Sequence, residues 1–454
     1  MTGSVSRPSS FEVTHARVLA IAGPMTLAGL TTPLLGVVGA AVIGQLGAAH
    51  LLGAVAISSV VFDCIFWLFG FLRMGTVALT AQALGAHDIV EQRAVLTRAL
   101  VLAAGLGLAI ILLQLPLAWA AYWLMGASVE VTRAAEVYFY IRVWSTPFAL
   151  ANYAILGWLV GLARATSALA LQVVINLVNI AATAWLVLVL DLGVAGAAFG
   201  AVIAEIAGTI GGLLIALMIA RGLDGFISKQ VFDRQKITRM LVVNRDIMLR
   251  TAALITAWGF FAAQGARSGD VVLAANAVLH NLVLMGIFFL DGFASAAEQL
   301  CGRAMGAKDA SAFGRAAKLS LGWGFGFGMG ATLVLLAAGP WLIALMTVSA
   351  DVRAMAEGFI VLAALVSTIG VFAFGFDGIY IGATWTRDMR NLMIVSLLLY
   401  FAAWWMTRAL GNAGLWISIL VFLGARGALQ ALRYPALMRA TFNQGANSNT
   451  SRSG

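Results

Sequence analysis

Several acids of this chain stand inside long apolar stretches, where a carboxylate can carry a proton, hold a cation or anchor a basic partner. Asp63 is the only charge between His50 and Arg73. If that stretch is a helix rising 1.5 Å per residue, Asp63 sits roughly 18 Å from its start, close to mid-bilayer. Asp291 and Asp377 are each followed by glycine, and each reads equally as an acceptor for a neighbouring helix or as a proton site. Asn176, Asn179 and Thr183 fall at i, i+3 and i+7, on one helical face. Their neutral oxygens suit a cation or a polar substrate but take up no proton near neutral pH. Asn152 and Tyr153, near Trp144, can offer an amide oxygen and ring faces to a flat cation, with plain packing as the alternative. Met25, Met74 and Met285 can supply an adaptable wall. Glu205, Arg426, Arg73 and Glu298 read as helix-pairing or snorkelling groups. Only His15, His50, His87 and His280 are present, with no His-Glu-x-x-His helix and no Gly-x-Gly-Asp pair. No catalytic residue, metal site or cofactor is therefore expected, and the chain does not read as an enzyme. Cys64 and Cys301, each inside an apolar segment, are expected as small buried hydrophobes rather than a disulfide.

These residues must be positioned by membrane helices. The 454-residue chain is 62% hydrophobic and 10% charged, with a mean hydropathy of +0.96, too few polar residues to cover a water-soluble surface. Ala99 to Val129, Ala165 to Leu190 and Leu319 to Ala350 contain no charge, and each exceeds the roughly 20 apolar residues of a spanning helix. No alternation of polarity suggests a barrel. Charges and turn residues punctuate twelve expected helices at about 17–43, 51–84, 95–124, 135–162, 168–190, 194–220, 247–268, 272–304, 315–346, 354–383, 391–409 and 413–437. Lys and Arg gather after the even-numbered helices, as at Arg93, Arg164, Lys308 and Arg387, which predicts cytoplasmic termini. The net charge of +9 then belongs to loops beside anionic lipid and not to a nucleic-acid surface. The expected organisation is a tail at 1–16, a six-helix lobe at 17–220, a linker at 221–246, a second lobe at 247–437 and a tail at 438–454. No cleaved leader is expected, because the apolar run after Arg17 lacks a cleavage pattern.

The halves repeat. An offset of 221 residues carries Gly85-Ala86-His87-Asp88 onto Gly306-Ala307-Lys308-Asp309, Gly157 and Gly161 onto Gly378 and Gly382, and Gly193 onto Gly414. Six helices per half make the halves enter from the same side, related by an axis along the membrane normal. By analogy with other folds of that kind, such an arrangement places a substrate cavity between halves that rock.

Pro33-Leu34-Leu35-Gly36 with Val42-Ile43-Gly44, and Phe71-Leu72-Arg73-Met74-Gly75-Thr76 with Ala81-Gln82-Ala83-Leu84-Gly85, resemble the multidrug and toxic compound extrusion (MATE) family, in its DNA-damage-inducible protein F-like branch. The second half agrees at Ala263-Gln264-Gly265-Ala266-Arg267, Ala274-Ala275-Asn276-Ala277-Val278, Asp291-Gly292-Phe293-Ala294 and Ala297-Glu298. So do Asp377-Gly378-Ile379, Gly382 to Arg390, Ala425-Arg426-Gly427 and Leu432-Arg433-Tyr434-Pro435. The resemblance, over about residues 17 to 437, implies an antiporter in the cell inner membrane. Such a protein exports organic, often cationic and amphipathic, compounds against an inward flow of protons or sodium ions. The expected partners are a small-molecule substrate and membrane lipid, in a monomer. Two departures stand out. The branch usually carries an aspartate where this chain has Gly39, and its fifth helix usually ends Asn-x-x-Asn-x-x-x-Asp where this chain has Thr183. With both acids absent, Asp63 is the first candidate for proton coupling, ahead of Asp291 and Asp377. A lipid-linked saccharide flippase of the same superfamily, or a transport-dead receptor or scaffold, are the alternatives.

Overall fold

A computed structural model describes residues 11–45, 49–126, 128–222, 226 and 229–443. The chain is all-α, with no strand among the described residues, and twelve long helices among them, six to each repeated lobe, account for most of it. The helices are α1 (His15–Gly44), α2 (His50–Gly85), α3 (Ile89–Leu112), α4 (Val129–Gly161), α5 (Ala165–Val189) and α6 (Gly193–Ala220). They continue with α7 (Arg234–Arg267), α8 (Asp270–Gly306), α9 (Ala310–Met346), α10 (Ala350–Gly382), α11 (Thr386–Leu410) and α12 (Asn412–Phe442). Helices α2 to α12 are each long and apolar enough to cross a membrane, and α1 has 30 residues.

Three interruptions were not anticipated. Helix α2 turns at Gly70, the third passage breaks at Leu113 before a further helix at Gln114–Met125, and α5 closes in a π-helical segment, Trp185–Val189. Helix α7 also begins at Arg234, well inside the stretch expected as a linker. Its charges Arg234, Lys236 and Arg239 had suggested a loop. Ile237, Met240, Leu241 and Asn244 nevertheless recur at helical spacing, enough to dock an amphipathic turn. The side chains of Pro33, Leu34 and Leu35, and residues 1–10, 223–225, 227–228 and 444–454 of the expected tails and linker, lie outside the described residues.

The chain forms two compact units. One gathers Met1–Thr26, Ala81–His87 and Arg245–Gly454, the other Leu27–Thr80 and Asp88–Asn244; they are called here the C-terminal and N-terminal units. The core of the C-terminal unit joins Ala257 and Phe261 of α7 to Leu279 and Val283 of α8, Tyr400 of α11, and Trp416 and Phe422 of α12. The Phe261 and Trp416 rings meet edge to face at 4.8 Å, which suits helices that lipid does not push together and that must hold by packing.

Local geometry repeats with the sequence. His87 and Lys308 have φ of 56° and 55°, and Ala163 and Thr384 have φ of 60° and 57°, all non-glycine residues in the left-handed region that ends helices. In the second pair the following amide closes the same six-residue loop: Arg164 N donates to Leu159 O at 2.9 Å, and Trp385 N to Tyr380 O at 2.8 Å. Two glycine crossings match as well. A Cβ on Gly157 would strike the backbone of Arg73, and one on Gly378 that of Ala294. Both contact positions are again 221 apart.

Candidate functional site

In the N-terminal unit the charges of α2, α4 and α6 share one neighbourhood. Arg142 of α4 acts electrostatically on both Asp63 of α2 and Glu205 of α6. Its guanidinium is held in place by aromatics: Nη1 donates to Tyr138 Oη at 2.6 Å, and Cζ stands 4.8 Å from the Phe62 ring centroid and 5.9 Å from that of Phe66. Such faces orient a cation without neutralising it. Asn152, buried on α4, donates from Nδ2 to Glu205 Oε2 at 2.6 Å and to the Glu205 carbonyl at 3.0 Å, while its Oδ1 accepts from Thr209 Oγ1 at 3.1 Å. That pattern fixes the amide's orientation. Tyr153 is half-buried, its ring 6.4 Å from Phe66, within electrostatic reach of Glu205, Arg73, Asp63 and Arg142. Asp63 is exposed. Four groups picked from sequence, Asp63, Asn152, Tyr153 and Glu205, therefore converge, and Arg142, which sequence reading passed over, lies among them. The missed signal was plain: a charge inside a span needs a counter-charge.

The three polar residues of α5 make hydrogen bonds within the helix and to α1. Asn176 is buried and donates from Nδ2 to Thr31 Oγ1 of α1 at 2.8 Å, and its Oδ1 accepts from Gln172 Nε2 at 3.1 Å. Thr183, also buried, donates to Asn179 Oδ1 at 3.3 Å, and Asn179 itself is half-buried. Trp144 and Met285 are exposed, and Met25 and Met74 half-buried. Cys301 is buried as expected, but Cys64 is exposed. It follows Asp63 on α2, where the exposed surface takes in both positions. The two thiols are free.

In the C-terminal unit Asp377 of α10 is buried between two cations. Its Oδ2 accepts from Arg250 Nη2 of α7 and from Arg426 Nη2 of α12, and Oδ1 accepts from Gln430 Nε2 at 2.8 Å. Arg250, Asp377 and Arg426 are 4%, 3% and 0% exposed, so two buried cations share one carboxylate. Arg426 thus has the helix-pairing role read from sequence, whereas Arg250 gave no sequence signal beyond its charge. Nearer the start of α7, buried Asp246 accepts from Arg390 Nη1 at 2.7 Å and Arg245 Nη2 at 3.0 Å. Asp291 is half-buried on α8.

The MatE family profile matches residues 24–186 and 253–406. The chain is 38% identical over 414 residues to the DNA damage-inducible protein F of Escherichia coli (strain K12), covering 90% of this chain and 89% of that one. It belongs to the MATE family. A probable multidrug resistance protein NorM of Caulobacter vibrioides is 27% identical over 444 residues, covering 92% of this chain and 90% of that one. Among solved structures, a MATE protein in its bent conformation aligns with a TM-score of 0.86 at 20% identity, over 95% of this chain and 96% of that chain. A transporter of the MOP superfamily from Pyrococcus furiosus aligns with a TM-score of 0.84 at 18% identity, over 94% and 96%; both likenesses show the fold. The chain is thus a multi-pass membrane transporter of the MATE family, in the branch of DNA damage-inducible protein F, and the family is one of transporters rather than enzymes. Within this MATE chain the two departures have different settings. A Cβ on Gly39 would have nothing within 4 Å, so α1 has room for a larger side chain there. Thr183 lies tight against Gly200 of α6.

Proposed function

We propose that this MATE chain is a secondary antiporter of the cell inner membrane, exporting organic, cationic and amphipathic compounds in exchange for protons or sodium ions by alternating access. The observation that carries the reading is the cluster of Asp63, Glu205 and Arg142. Two carboxylates share the field of Arg142, with Arg73 also within reach of Tyr153 beside them, so a proton, a metal cation or an organic cation taken up at either carboxylate changes the charge the others meet, and binding of one opposes binding of another. That competition is what exchange requires. Tyr153 and Phe66 beside the cluster give a flat cation ring faces to lie on, and the Asn152 amide holds Glu205 in place for it.

Asp63 is the coupling carboxylate in this reading. It is exposed on a membrane helix, and a charged side chain at that depth needs water rather than lipid. The test is transport of a fluorescent organic cation into proteoliposomes with proton and sodium gradients imposed separately. Asp63→Asn is expected to abolish gradient-driven transport while dye binding persists. Normal coupling in Asp63→Asn would move the role to Glu205, and failure of the unaltered protein to move any dye under either gradient would sink the antiporter reading.

A further inference from the structure

The N-terminal unit holds a cavity of about 300 Å³ between α3 and the start of α7, at the lower end of the range for small-molecule pockets, roughly 300–1,000 Å³. Its walls are apolar: Leu102 and Leu106 from α3, Val231 and Phe232 from the segment before α7, and Ile237 and Met240 from α7 itself. Among the described residues the one charged residue lining it is Arg98. Arg98 is 6% exposed and donates from Nη2 to Glu91 Oε1, while its buried Nε has no partner.

Charge around the cavity is unbalanced. Lys236 Nζ donates to Glu91 Oε2 at 2.7 Å, and Arg239 is within electrostatic reach of the same acid, so three cations stand about Glu91, while the nearby Asp233 carboxylate accepts from the Gln235 and Lys236 amides. Much of the lining is exposed. Val101, lining the cavity, is 63% exposed, and Phe232 and Leu241 are 76% and 48% exposed, while the basic groups lie toward the end of α3 read as cytoplasmic. An apolar hollow beside basic groups matches the two ends of one molecule.

We propose that this cavity binds an anionic phospholipid, with an acyl chain in the apolar space and the phosphate on the Nε edge of Arg98 beneath Lys236 and Arg239. Basic pockets at the cytoplasmic level of membrane helices suit such headgroups. An organic cation, the substrate class proposed above, is disfavoured by the same charges. The site is therefore separate from the Asp63 cluster.

Gly105 makes the test clean. It lines the cavity, and a Cβ there would have nothing within 4 Å, so the side chain of Gly105→Phe starts in open space beside the hollow. The full chain in detergent is titrated with phosphatidylglycerol or phosphatidylcholine, and bound lipid is counted by native mass spectrometry. The unaltered protein is expected to retain phosphatidylglycerol over phosphatidylcholine, and Gly105→Phe to lose that adduct. Arg98→Gln is expected to weaken it about fivefold, the worth of one cationic side chain beside anionic lipid. Inorganic phosphate should not displace the lipid, because the acyl chain contributes. Equal retention of the two lipids, an undiminished adduct in Gly105→Phe, or displacement by free phosphate would each overturn the proposal. Because Gly105→Phe leaves the Glu91 pairings intact, it decides the matter even where Arg98→Gln misfolds.

Discussion

Replacing Asp377 by Asn keeps the shape of the side chain and removes one charge, which tests whether the C-terminal unit depends on that charge. The amide can still accept from Gln430, as Oδ1 does now. What it cannot do is compensate Arg250 and Arg426, both at most 4% exposed. Removing one partner of a buried ion pair costs about 3–5 kcal/mol, because the other is left as an uncompensated buried charge. Here two cations lose the same partner, so the upper part of that range applies. At roughly 2–4 °C per kcal/mol for a unit of this size, the apparent Tm should fall by about 10 °C or more. Arg250→Met supplies the contrast. It removes the surplus cation and leaves a one-to-one pair of Arg426 with Asp377, so its cost should stay within about 1 kcal/mol, as expected when a buried ion gives way to an apolar group of similar volume. Cys301 is buried in the same unit while Cys64 is exposed. In a Cys64→Ala background, a thiol-reactive dye therefore reads the melting of that unit through Cys301. A Tm for Asp377→Asn within about 2 °C of the parent, or a greater loss for Arg250→Met than for Asp377→Asn, would refute the charge argument. Either result would return Asp377 to the candidates for proton binding.

Other outcomes follow from exposure, close approach and capping. Asn179→Cys should react faster with a membrane-impermeant maleimide than Thr183→Cys, since Asn179 is half-buried and Thr183 only 5% exposed; complete protection of both in every transport state would mean that this face of α5 is dry. Gly378→Val should lower stability by about 1–3 kcal/mol through overpacking against the Ala294 backbone. Gly330→Val, with nothing within 4 Å of its Cβ, serves as the control and should melt higher. Asp309 caps α9, accepting from the Ala312 and Ser311 amides at 2.9 and 3.0 Å, and the Ala312 amide above all holds its carboxyl below the usual carboxylate range. Its contribution is thus fully present above the ordinary Asp value of about 3.9 and is lost as pH falls through the depressed value. Asp309→Ala should lower stability by about 1 kcal/mol at neutral pH, and the gap between the two melting curves should close under strong acid; a gap independent of pH would show that the carboxylate charge is not what caps the helix.

The fold was legible because membrane solvation writes itself into composition. Charge-free runs such as Leu319 to Ala350 admit one structure in lipid, and the 221-residue register of Gly157 and Gly378 pointed to paired crossings that the backbone now shows at Arg73 and Ala294. The breaks were less visible. At Gly70 the only signal is the glycine itself, a poor helix former among apolar residues, whereas the break at Leu113 has one in Pro116, which lacks the amide that would bond the Leu112 carbonyl and whose ring clashes with it. The early start of α7 was in principle readable, since Ile237, Met240, Leu241 and Asn244 keep a helical period through the charges.

The site was half legible, and the half that was missed follows a rule. Sequence marks a carboxylate by depth, as at Asp63, but says nothing about which cation answers it, because the partner comes from another helix. Arg142 stands 79 positions from Asp63, and Arg250 stands 127 from Asp377. Depth alone therefore treated Asp63 and Asp377 as two grades of one candidate. Their surroundings separate them: Asp377 is buried and saturated by two guanidiniums and an amide, whereas Asp63 is exposed and shares Arg142 with Glu205. A group that must exchange a cation with water needs access and a charge balance that one bound cation can tip. Asp63, exposed on α2, fits such an exchange in the function proposed, whereas Asp377, buried with an excess of positive charge about it, does not.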